Sequence, residues 1–352
     1  MHKTDRFVTK KWGVMCHLLH NLQNNPERPS NEGVGQTPWN EFISQIDVKN
    51  IAEELHEMGA GYFLLTIMQG DPYMIAPNAT YDRIVGSAPG EYCSERDLVL
   101  DLGNELRKYD IDLFLYFTGD GPHKNIHTGN AIGFQDRYNE APIPERFLKN
   151  WTSVLKEYAE RYKDVVKGWW IDGLYPYFGY DDEKIKYYHD TLKSVNPDWI
   201  VAYNDGHTVE LAWQKEELAY DPTNDNPQPR PYPLFKRSIY EDFLAGEAID
   251  FNVYPEGRFL DGSQWHVLSP LGSKDGLSGG WGGANVKYTK KYLLEYFKTI
   301  WSFDGVITVD MGLKRSGKFY EEQKRFMIES SRPQRRPRRR GPRCTACSSL
   351  LT

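Results

Sequence analysis

The segment Val166-Lys-Gly-Trp-Trp-Ile-Asp-Gly173 has the composition of a buried strand that ends in a carboxylate. It is a short apolar run with two tryptophans, and Asp172 is the acid at its carboxyl end. In barrel enzymes the catalytic side chains lie at the carboxyl ends of the strands. An aspartate–glycine pair after an apolar run is also an ordinary turn signal, so the segment alone leaves a functional and a structural interpretation about equally open.

The rest of the chain alternates short apolar runs with amphipathic stretches, which is typical of βα units and a parallel sheet. The pattern predicts eight strands, at residues 12–19, 62–67, 112–118, 168–172, 199–204, 243–253, 264–269 and 305–310. It predicts helices at residues 47–58, 94–107, 144–162, 184–195, 286–301 and 318–329. For the helix at 94–107, Ser94 is the predicted N-cap.

These elements predict an α/β fold, a (β/α)8 TIM barrel with long βα loops, over residues 1–330 as a single catalytic domain. The alternative is a doubly wound open sheet, but no glycine-rich phosphate-binding turn follows any of the predicted strands. Residues 331–352 contain seven arginines and no acid, and we expect them to form a disordered tail.

The chain has a formal net charge of −6, although the tail is strongly basic, so the body before it is acidic. An acidic body without a basic stripe argues against nucleic acid as a partner. No apolar run approaches the roughly 20 residues that span a bilayer, so we expect no membrane partner. The amino terminus lacks the apolar region of a signal peptide; a periplasmic or secreted location would require that a signal was removed.

In a barrel, the polar residues at the strand ends should converge on one pocket. The candidates are His17, His20, Gln69, Asp71, Tyr116, Thr118, Asp172, Asn204, His207, Glu247, Glu256, His266 and Asp310. Their spacing is not that of a metal site, and no Gly-x-Ser-x-Gly elbow provides a serine nucleophile, so we expect neither metal nor cofactor. What remains is a carboxylate-rich mouth in a chain with 14% aromatic residues, and paired carboxylates are the usual machinery of a glycosidase.

Several of these segments resemble the α-L-fucosidase family of glycoside hydrolases. Trp-Trp-Ile-Asp-Gly173 resembles the strand that carries the nucleophile in that family, and Trp12-Gly-Val-Met-Cys-His17 is similar to its first strand, which ends on a sugar-binding histidine. The segments at 59–66, 96–98 and 115–118 are similar to its second strand, a helix start and its third strand. The resemblance covers about residues 11–175 and is loose beyond them.

The resemblance implies that Asp172 is the nucleophile. It also implies a set of substrate-binding residues: His17, Trp39, Gln69, Asp71, Tyr116, Trp170 and His266. In the family the acid/base lies on a variable loop after the sixth strand, where Glu256 is our first choice and Glu247 and Asp261 are the alternatives.

The chain departs from the family in three places. After strand two the family has Lys-His-His-Asp-Gly, whereas Gln69 and Asp71 stand here, so Gln69 replaces a histidine contact and a sugar other than fucose stays open. Pro38 replaces an acid before Trp39, and the chain has no room for the family's C-terminal β-sandwich.

We therefore predict a retaining exo-glycosidase that releases a terminal deoxy- or related sugar from an oligo- or polysaccharide by double displacement. A carbohydrate is the only partner that the sequence predicts. One alternative is a sugar-binding pseudoenzyme on the same barrel, which would lack a working acid. Another is an unrelated barrel enzyme such as an isomerase or aldolase, which would need a catalytic lysine or a phosphate-binding helix.

Overall fold

The computed structural model describes residues 2–134, 143–175, 178–205, 234 and 236–331. His207 and residues 332–352 of the predicted tail lie outside these residues. Within them, one curled sheet contains seven parallel strands: β1 (Trp12–Cys16), β2 (Tyr62–Thr66), β3 (Asp112–Thr118), β4 (Val166–Asp172), β5 (Ile200–Tyr203), β8 (His266–Pro270) and β9 (Val306–Asp310). The strand order is β5-β4-β3-β2-β1-β9-β8. A separate antiparallel pair consists of β6 (Phe259–Leu260) and β7 (Ser263–Gln264).

The helices of the described residues connect these strands and cover the sheet. They are α1 (Asp5–Lys10), α2 (His20–Gln23), α3 (Trp39–Ser44), α4 (Val48–Met58), α5 (Ala79–Val85), α6 (Leu98–Arg107), α7 (Ile126–Ile132), α8 (Glu145–Tyr162), α9 (Asp182–Val195), α10 (Lys290–Ser302) and α11 (Glu321–Ser331). The alternation of strand and helix that the sequence predicts is confirmed, and both ends of β3 agree with the prediction.

The strands form at predominantly apolar runs, because both faces of this sheet are buried. Every residue of β3 is buried, and Lys167 is the only exposed residue of β4. Such strands are typical of parallel sheets that are covered on both faces. The outward faces pack on the amphipathic helices, whose apolar residues recur at helical spacing.

Capping side chains determine where two of the helices begin. Asp47 caps α4 by accepting a hydrogen bond from the Asn50 N–H. The predicted N-cap of the next long helix was wrong, because α6 begins at Leu98 and not near Ser94. Asp97 caps it by accepting from the Leu100 N–H, and a carboxylate placed so is among the strongest N-caps.

The predicted sixth strand at 243–253 is not a regular strand of the sheet. The chain there makes two isolated parallel bridges, Phe243 with Gln264 and Glu247 with Leu268. Between them Gly246 has φ +66, and a Cβ at this position would lie 2.1 Å from the His266 carbonyl oxygen. This left-handed residue, pressed against β8, interrupts the extended conformation. The described sheet is therefore a seven-stranded half-barrel.

Segment 242–248 nevertheless hydrogen-bonds to both outer strands of the sheet. The Asp242 N–H donates to the Val201 carbonyl of β5 at 2.8 Å, and the Leu268 N–H of β8 donates to the Gly246 carbonyl at 2.8 Å. The segment thus occupies the gap between β5 and β8, and it carries Glu247 to the end of the sheet where Asp172 lies.

The amino end of the sheet interior is filled by aromatic side chains. Phe7 of α1 packs against Tyr62, Phe114 and Phe243 with ring-centroid distances of 5.0, 5.2 and 4.9 Å. These rings fill the sheet interior near the amino end, whereas the cavity that contains Asp172 lies at the carboxyl end.

Candidate active site

A cavity of about 330 Å³ lies at the carboxyl ends of the strands. Its lining combines two carboxylates with aromatic rings: Met15, His17, Gln69, Tyr116, Lys124, Trp170, Asp172, Tyr175, Glu247, Leu268, Leu277, Ser278 and Trp281. Acids among flat apolar surfaces suit a sugar, whose C–H faces stack on aromatic rings.

Asp172 is the last residue of β4 and is buried at the base of this cavity. Tyr116 Oη donates to Asp172 Oδ2 at 2.5 Å, and Asn204 Nδ2 donates to Asp172 Oδ1 at 2.7 Å. Because β3 and β4 are paired, Tyr116 lies directly opposite Trp170 in the sheet register. Both carboxylate oxygens are thereby fixed by neutral donors that favour the ionised form.

Asn204 connects Asp172 to the second carboxylate of the cavity. Its Nδ2 also donates to Glu247 Oε2. The Asn204 main chain is itself fixed, since its N–H donates to the Ile171 carbonyl at 2.7 Å and its carbonyl accepts from the Leu174 N–H at 3.1 Å. One amide nitrogen therefore serves two acids that are far apart in sequence.

The two acids have different proton affinities. Burial raises the pKa of Glu247 to about 8, and the negative charge of Asp172 acts in the same direction against the hydrogen bond from Asn204. Burial also raises the pKa of Asp172, but the hydrogen bonds from Tyr116 and Asn204 oppose that effect. Since Asp172 accepts two hydrogen bonds from these neutral donors and Glu247 accepts one, a proton shared by the pair resides on Glu247.

A third carboxylate, Asp120, lies behind Asp172 and contributes to the raised pKa of Asp172. Thr118 donates a hydrogen bond to it, and His123 Nδ1 lies 3.0 Å from Asp120 Oδ2. Burial alone would raise the pKa of Asp120, but His123, Thr118 and Lys124 together lower it. Asp120 is therefore ionised and does not compete for the proton on Glu247.

The structure brings several of the predicted substrate-binding residues into the cavity, namely His17, Gln69, Tyr116 and Trp170. His17 Nδ1 lies 2.8 Å from Asp310 Oδ1. Trp170 stacks on Tyr116 at 5.5 Å, and its Nε1 donates to the Ala245 carbonyl at 3.0 Å. That bond joins β4 to the segment that carries Glu247.

Three other predicted substrate-binding residues are not part of the cavity lining. Trp39 is buried in the loop region after β1, and its Nε1 donates to the Met74 carbonyl at 2.8 Å. Asp71 is partly exposed and lies near His20, on whose pKa its charge acts. His266 is in the interior at the start of β8, where its nitrogens lie 2.9 Å from the Leu244 carbonyl and 2.6 Å from Thr308 Oγ1.

The structure separates the three candidate acids that the sequence left open. Glu247 lines the cavity, whereas Glu256 and Asp261 are exposed and are not among the lining residues. The sequence ranked Glu256 first among the three acids in this region, although apolar residues flank both Glu256 and Glu247. Proximity in sequence did not provide burial, because Glu256 lies in the exposed turn before β6.

Sequence reasoning missed three prominent residues of the cavity wall: Lys124, Tyr175 and Trp281. Trp281 stands in a glycine-rich segment, Gly276 to Gly283, and that unusual composition after a predicted strand was the signal available. Lys124 and Tyr175 follow β3 and β4 in ordinary loop sequence, which offered no comparable signal.

Within the described part of the chain, no cluster of three or more histidine, cysteine, aspartate or glutamate side chains could hold a metal ion. In the same residues, no helix combines the length and apolar character needed to span a bilayer.

Several solved structures with a similar fold are described as fucosidases or as a fucoidan hydrolase. An endo-fucoidan hydrolase of glycoside hydrolase family 107, P5AFcnA, aligns with a TM-score of 0.62 at 15% identity, covering 94% of this chain and 93% of that one. A GH29 α-L-fucosidase from Bacteroides thetaiotaomicron aligns with a TM-score of 0.59 at 16% identity over 93% and 72%. A bacterial fucosidase with an iminocyclitol inhibitor aligns with a TM-score of 0.59 at 17% identity, covering 93% of this chain and 73% of that one.

A search of curated proteins by sequence finds no match. The model of one protein family, described as endo-alpha(1,4)-fucoidanase Mef1, matches residues 47–252. That range contains Asp172, Asn204 and Glu247. Because the match spans more than half of the chain, the protein belongs to the endo-alpha(1,4)-fucoidanase Mef1 family and is a glycoside hydrolase, a divergent relative of the fucosidases.

Proposed function

We propose that the protein is a retaining, endo-acting hydrolase of α-fucosyl linkages in a fucoidan-type polysaccharide, with Asp172 as nucleophile and Glu247 as acid/base. The observation that carries the proposal is the single Asn204 amide between the two carboxylates. It keeps a proton acceptor and a proton donor side by side at the base of an aromatic cavity, which is the arrangement that glycoside hydrolysis needs.

In the first step, a carboxylate oxygen of Asp172 attacks the anomeric carbon while Glu247 gives its proton to the departing glycosidic oxygen. A glycosyl ester with Asp172 results. In the second step, Glu247 as carboxylate takes a proton from water, the water oxygen attacks the anomeric carbon, and Asp172 leaves. The raised pKa of Glu247 fits the first step, and the hydrogen bonds that Asp172 accepts fit its role as the ionised group.

The separation of the carboxylates supports retention of the anomeric configuration. Two hydrogen bonds from one nitrogen, each about 3 Å or less, limit the nearest carboxylate oxygens to about 6 Å. Retaining glycosidases have carboxyl groups about 5–5.5 Å apart, whereas inverting enzymes need about 6.5–9.5 Å to admit a water.

The endo mode rests on the family description, while our sequence interpretation favoured exo action. The cavity wall supports recognition of a sugar in either mode, because Tyr116, Trp170 and Trp281 provide ring faces beside the two acids. For the fold, we propose that segment 242–248 stands in for a sixth strand and completes a (β/α)8 barrel, and that residues 1–330 act as one catalytic domain. The hydrogen bonds of this segment to β5 and β8 support that view.

The rival interpretation, a sugar-binding pseudoenzyme, requires that a working acid is missing. Glu247 supplies a partly buried acid of raised pKa in the cavity beside Asp172, which favours the enzyme.

The test uses fucoidan oligosaccharides of defined length and an aryl α-L-fucoside, with the anomer of the first product read by NMR. We expect internal cleavage of the oligosaccharides, slow or absent release of the aryl group, and a retained α-anomer. Stepwise release of monosaccharide from one end would favour exo action, and an inverted product would exclude the covalent mechanism. Binding without turnover by the folded protein would favour the pseudoenzyme.

A further inference from the structure

Asp310, the last residue of β9, contacts two different walls of the cavity. It is buried, with 1% of its surface exposed. Its Oδ1 lies 2.8 Å from His17 Nδ1, and its Oδ2 accepts a hydrogen bond from the Gly282 N–H at 2.5 Å. His17 follows β1, whereas Gly282 belongs to the segment after β8 that carries Trp281. The Asp310 carboxylate thus links the His17 ring, which faces the cavity, to the loop that carries Trp281.

The contact with Asp310 determines which nitrogen of neutral His17 carries the proton. An ionised carboxylate only accepts hydrogen bonds, so Nδ1 must be the donor. Nε2 is then left with a lone pair and becomes an acceptor. The ring lies 6.0 Å from Trp281 and 6.2 Å from Tyr116, between two aromatic walls of the cavity. A sugar hydroxyl that reaches this ring would therefore act as the donor.

The Trp281 loop is held against His17 by the same carboxylate. Gly282 has φ +65, and a Cβ on it would lie 3.7 Å from His17 Cβ. A second anchor holds the loop from the opposite side, because Gln323 Nε2 of α11 donates to the Gly283 carbonyl at 2.8 Å and to the Asn285 carbonyl at 2.9 Å. Gln323 is thus a matched control, since it anchors the same loop from α11.

We propose that Asp310 is a positioning residue that fixes the tautomer of His17, so that Nε2 accepts a hydrogen bond from a substrate hydroxyl. Through Gly282, Asp310 also holds the Trp281 loop beside the His17 ring. This role deepens the proposed function and rests on it, because it assumes that the cavity binds a sugar. Asp310 and His17 together select a sugar whose hydroxyl donates a hydrogen bond to Nε2. A sugar that lacks this hydroxyl should bind more weakly.

The first test reads the tautomer without any substrate. Side-chain ¹H–¹⁵N NMR of histidine-labelled protein distinguishes an Nδ1–H ring from an Nε2–H ring, and His17→Gln identifies the signal. We expect the Nδ1–H form in the wild type. In Asp310→Asn the new amide can donate to Nδ1, and we expect the Nε2–H form. An Nε2–H ring in the wild type, or a ring unchanged in Asp310→Asn, would overturn the proposal.

The second test asks whether Asp310 acts through His17. Asp310→Asn should lower kcat/KM by roughly 10-fold or more, on the order of the loss when a carboxylate that orients a metal-bound histidine is removed. In a His17→Ala background the same substitution should cost less than about 3-fold, because contacting residues are non-additive. Gln323→Ala should lower kcat/KM by a similar factor in both backgrounds. Equal losses from Asp310→Asn with and without His17 would refute the positioning role.

The two tests separate the possible failures. A wild type that cleaves no fucose-containing substrate would sink the proposed function, while the NMR measurement would still report on Asp310 and His17. If Asp310→Asn does not fold, which circular dichroism would reveal, the wild-type tautomer alone still decides between an Nδ1–H and an Nε2–H ring.

Discussion

The two ends of the sheet interior use similar buried residues in opposite ways. At the amino end, His266 is enclosed by Phe7 and Phe243, both its nitrogens are hydrogen-bonded, and burial lowers its pKa to about 4. At the carboxyl end, His17 Nδ1 is hydrogen-bonded with Asp310, and the His17 ring lines the cavity. Polar groups at the amino end are satisfied by the protein, whereas those at the carboxyl end leave a face for a ligand.

Two buried aspartates repeat this contrast. Asp242 lies beside β5 near the amino end, where Lys3 and Lys193 pair with it and the Val201 N–H donates to it at 3.0 Å. Asp172 accepts hydrogen bonds from two neutral donors, Tyr116 and Asn204, and lines the cavity. The difference teaches that burial and residue type do not identify a functional acid, whereas the nature of its partners does. The predictions below test this division between the two ends.

The largest effect should come from the nucleophile. Asp172→Asn should lower kcat by a factor of about 10³ or more, because the amide cannot form the glycosyl ester, and the thermal midpoint should change little. Kinetics on fucoidan oligosaccharides and a thermal melt measure both quantities. An Asp172→Asn variant that keeps more than a tenth of wild-type activity would break the assignment.

Asp242, the buried aspartate at the amino end, should affect stability more than activity. Asp242→Asn leaves two lysines without their partner and should cost about 1–3 kcal/mol of unfolding free energy, a value reduced because Lys3 is half-exposed. Urea unfolding measures the cost. Its kcat, measured well below the melting temperature, should stay within a few-fold of the wild type.

The acid/base should show a loss that depends on the leaving group. Glu247→Gln cannot protonate the departing oxygen, so turnover of natural linkages should fall by about 10²–10⁴. Aryl glycosides with acidic leaving groups need less protonation, so any turnover of them should fall much less. Equal losses on both substrates would indicate that Glu247 is not the acid.

The histidines provide a third matched pair. His266→Ala should cost about 2–4 kcal/mol of unfolding free energy, because it opens a cavity in the interior and removes the hydrogen bonds of His266 with the Leu244 carbonyl and Thr308. His17→Ala should raise KM or lower kcat while changing stability by much less. Equal effects of the two substitutions on activity would contradict the division between the two ends.

A pH dependence of stability should also arise from His266. Its pKa is about 4 in the folded state, below the usual 6.5, so the unfolded chain binds more protons between these two values. The contribution of His266 to the free energy of unfolding is fully present above pH 6.5 and is lost as the pH falls towards 4. Thermal melts of the wild type and His266→Gln across this window should converge at low pH, and parallel curves would contradict the assignment.

The sequence could predict those parts of the fold and site that depend on local patterns. The apolar run before Asp172, the run of β3 and the helical spacing of α4 each determine their element locally, and each was predicted. Segment 242–248 could not be predicted, because its path depends on the close approach of Gly246 to β8. The sequence likewise suggested Asp172 through the motif at its strand end.

Glu247 was harder to recognise than Asp172, because its role depends on contacts between distant residues. Asn204 lies 43 positions before it in the chain and brings it to Asp172. Glu256 has more aromatic residues next to it in sequence, yet it is exposed. His266 shows the same limit, because a histidine at the first position of a strand and one just after the last position look alike in sequence.

The pH dependence of kcat/KM tests the central claim most directly, with wild type, Glu247→Gln and Glu256→Gln compared on one oligosaccharide. The wild type and Glu256→Gln should both lose activity as the pH rises through about 8, where Glu247 gives up its proton. Glu247→Gln should be weakly active and lack that alkaline decline. A decline that persists in Glu247→Gln, or one that disappears in Glu256→Gln, would contradict the assignment of Glu247 as the acid.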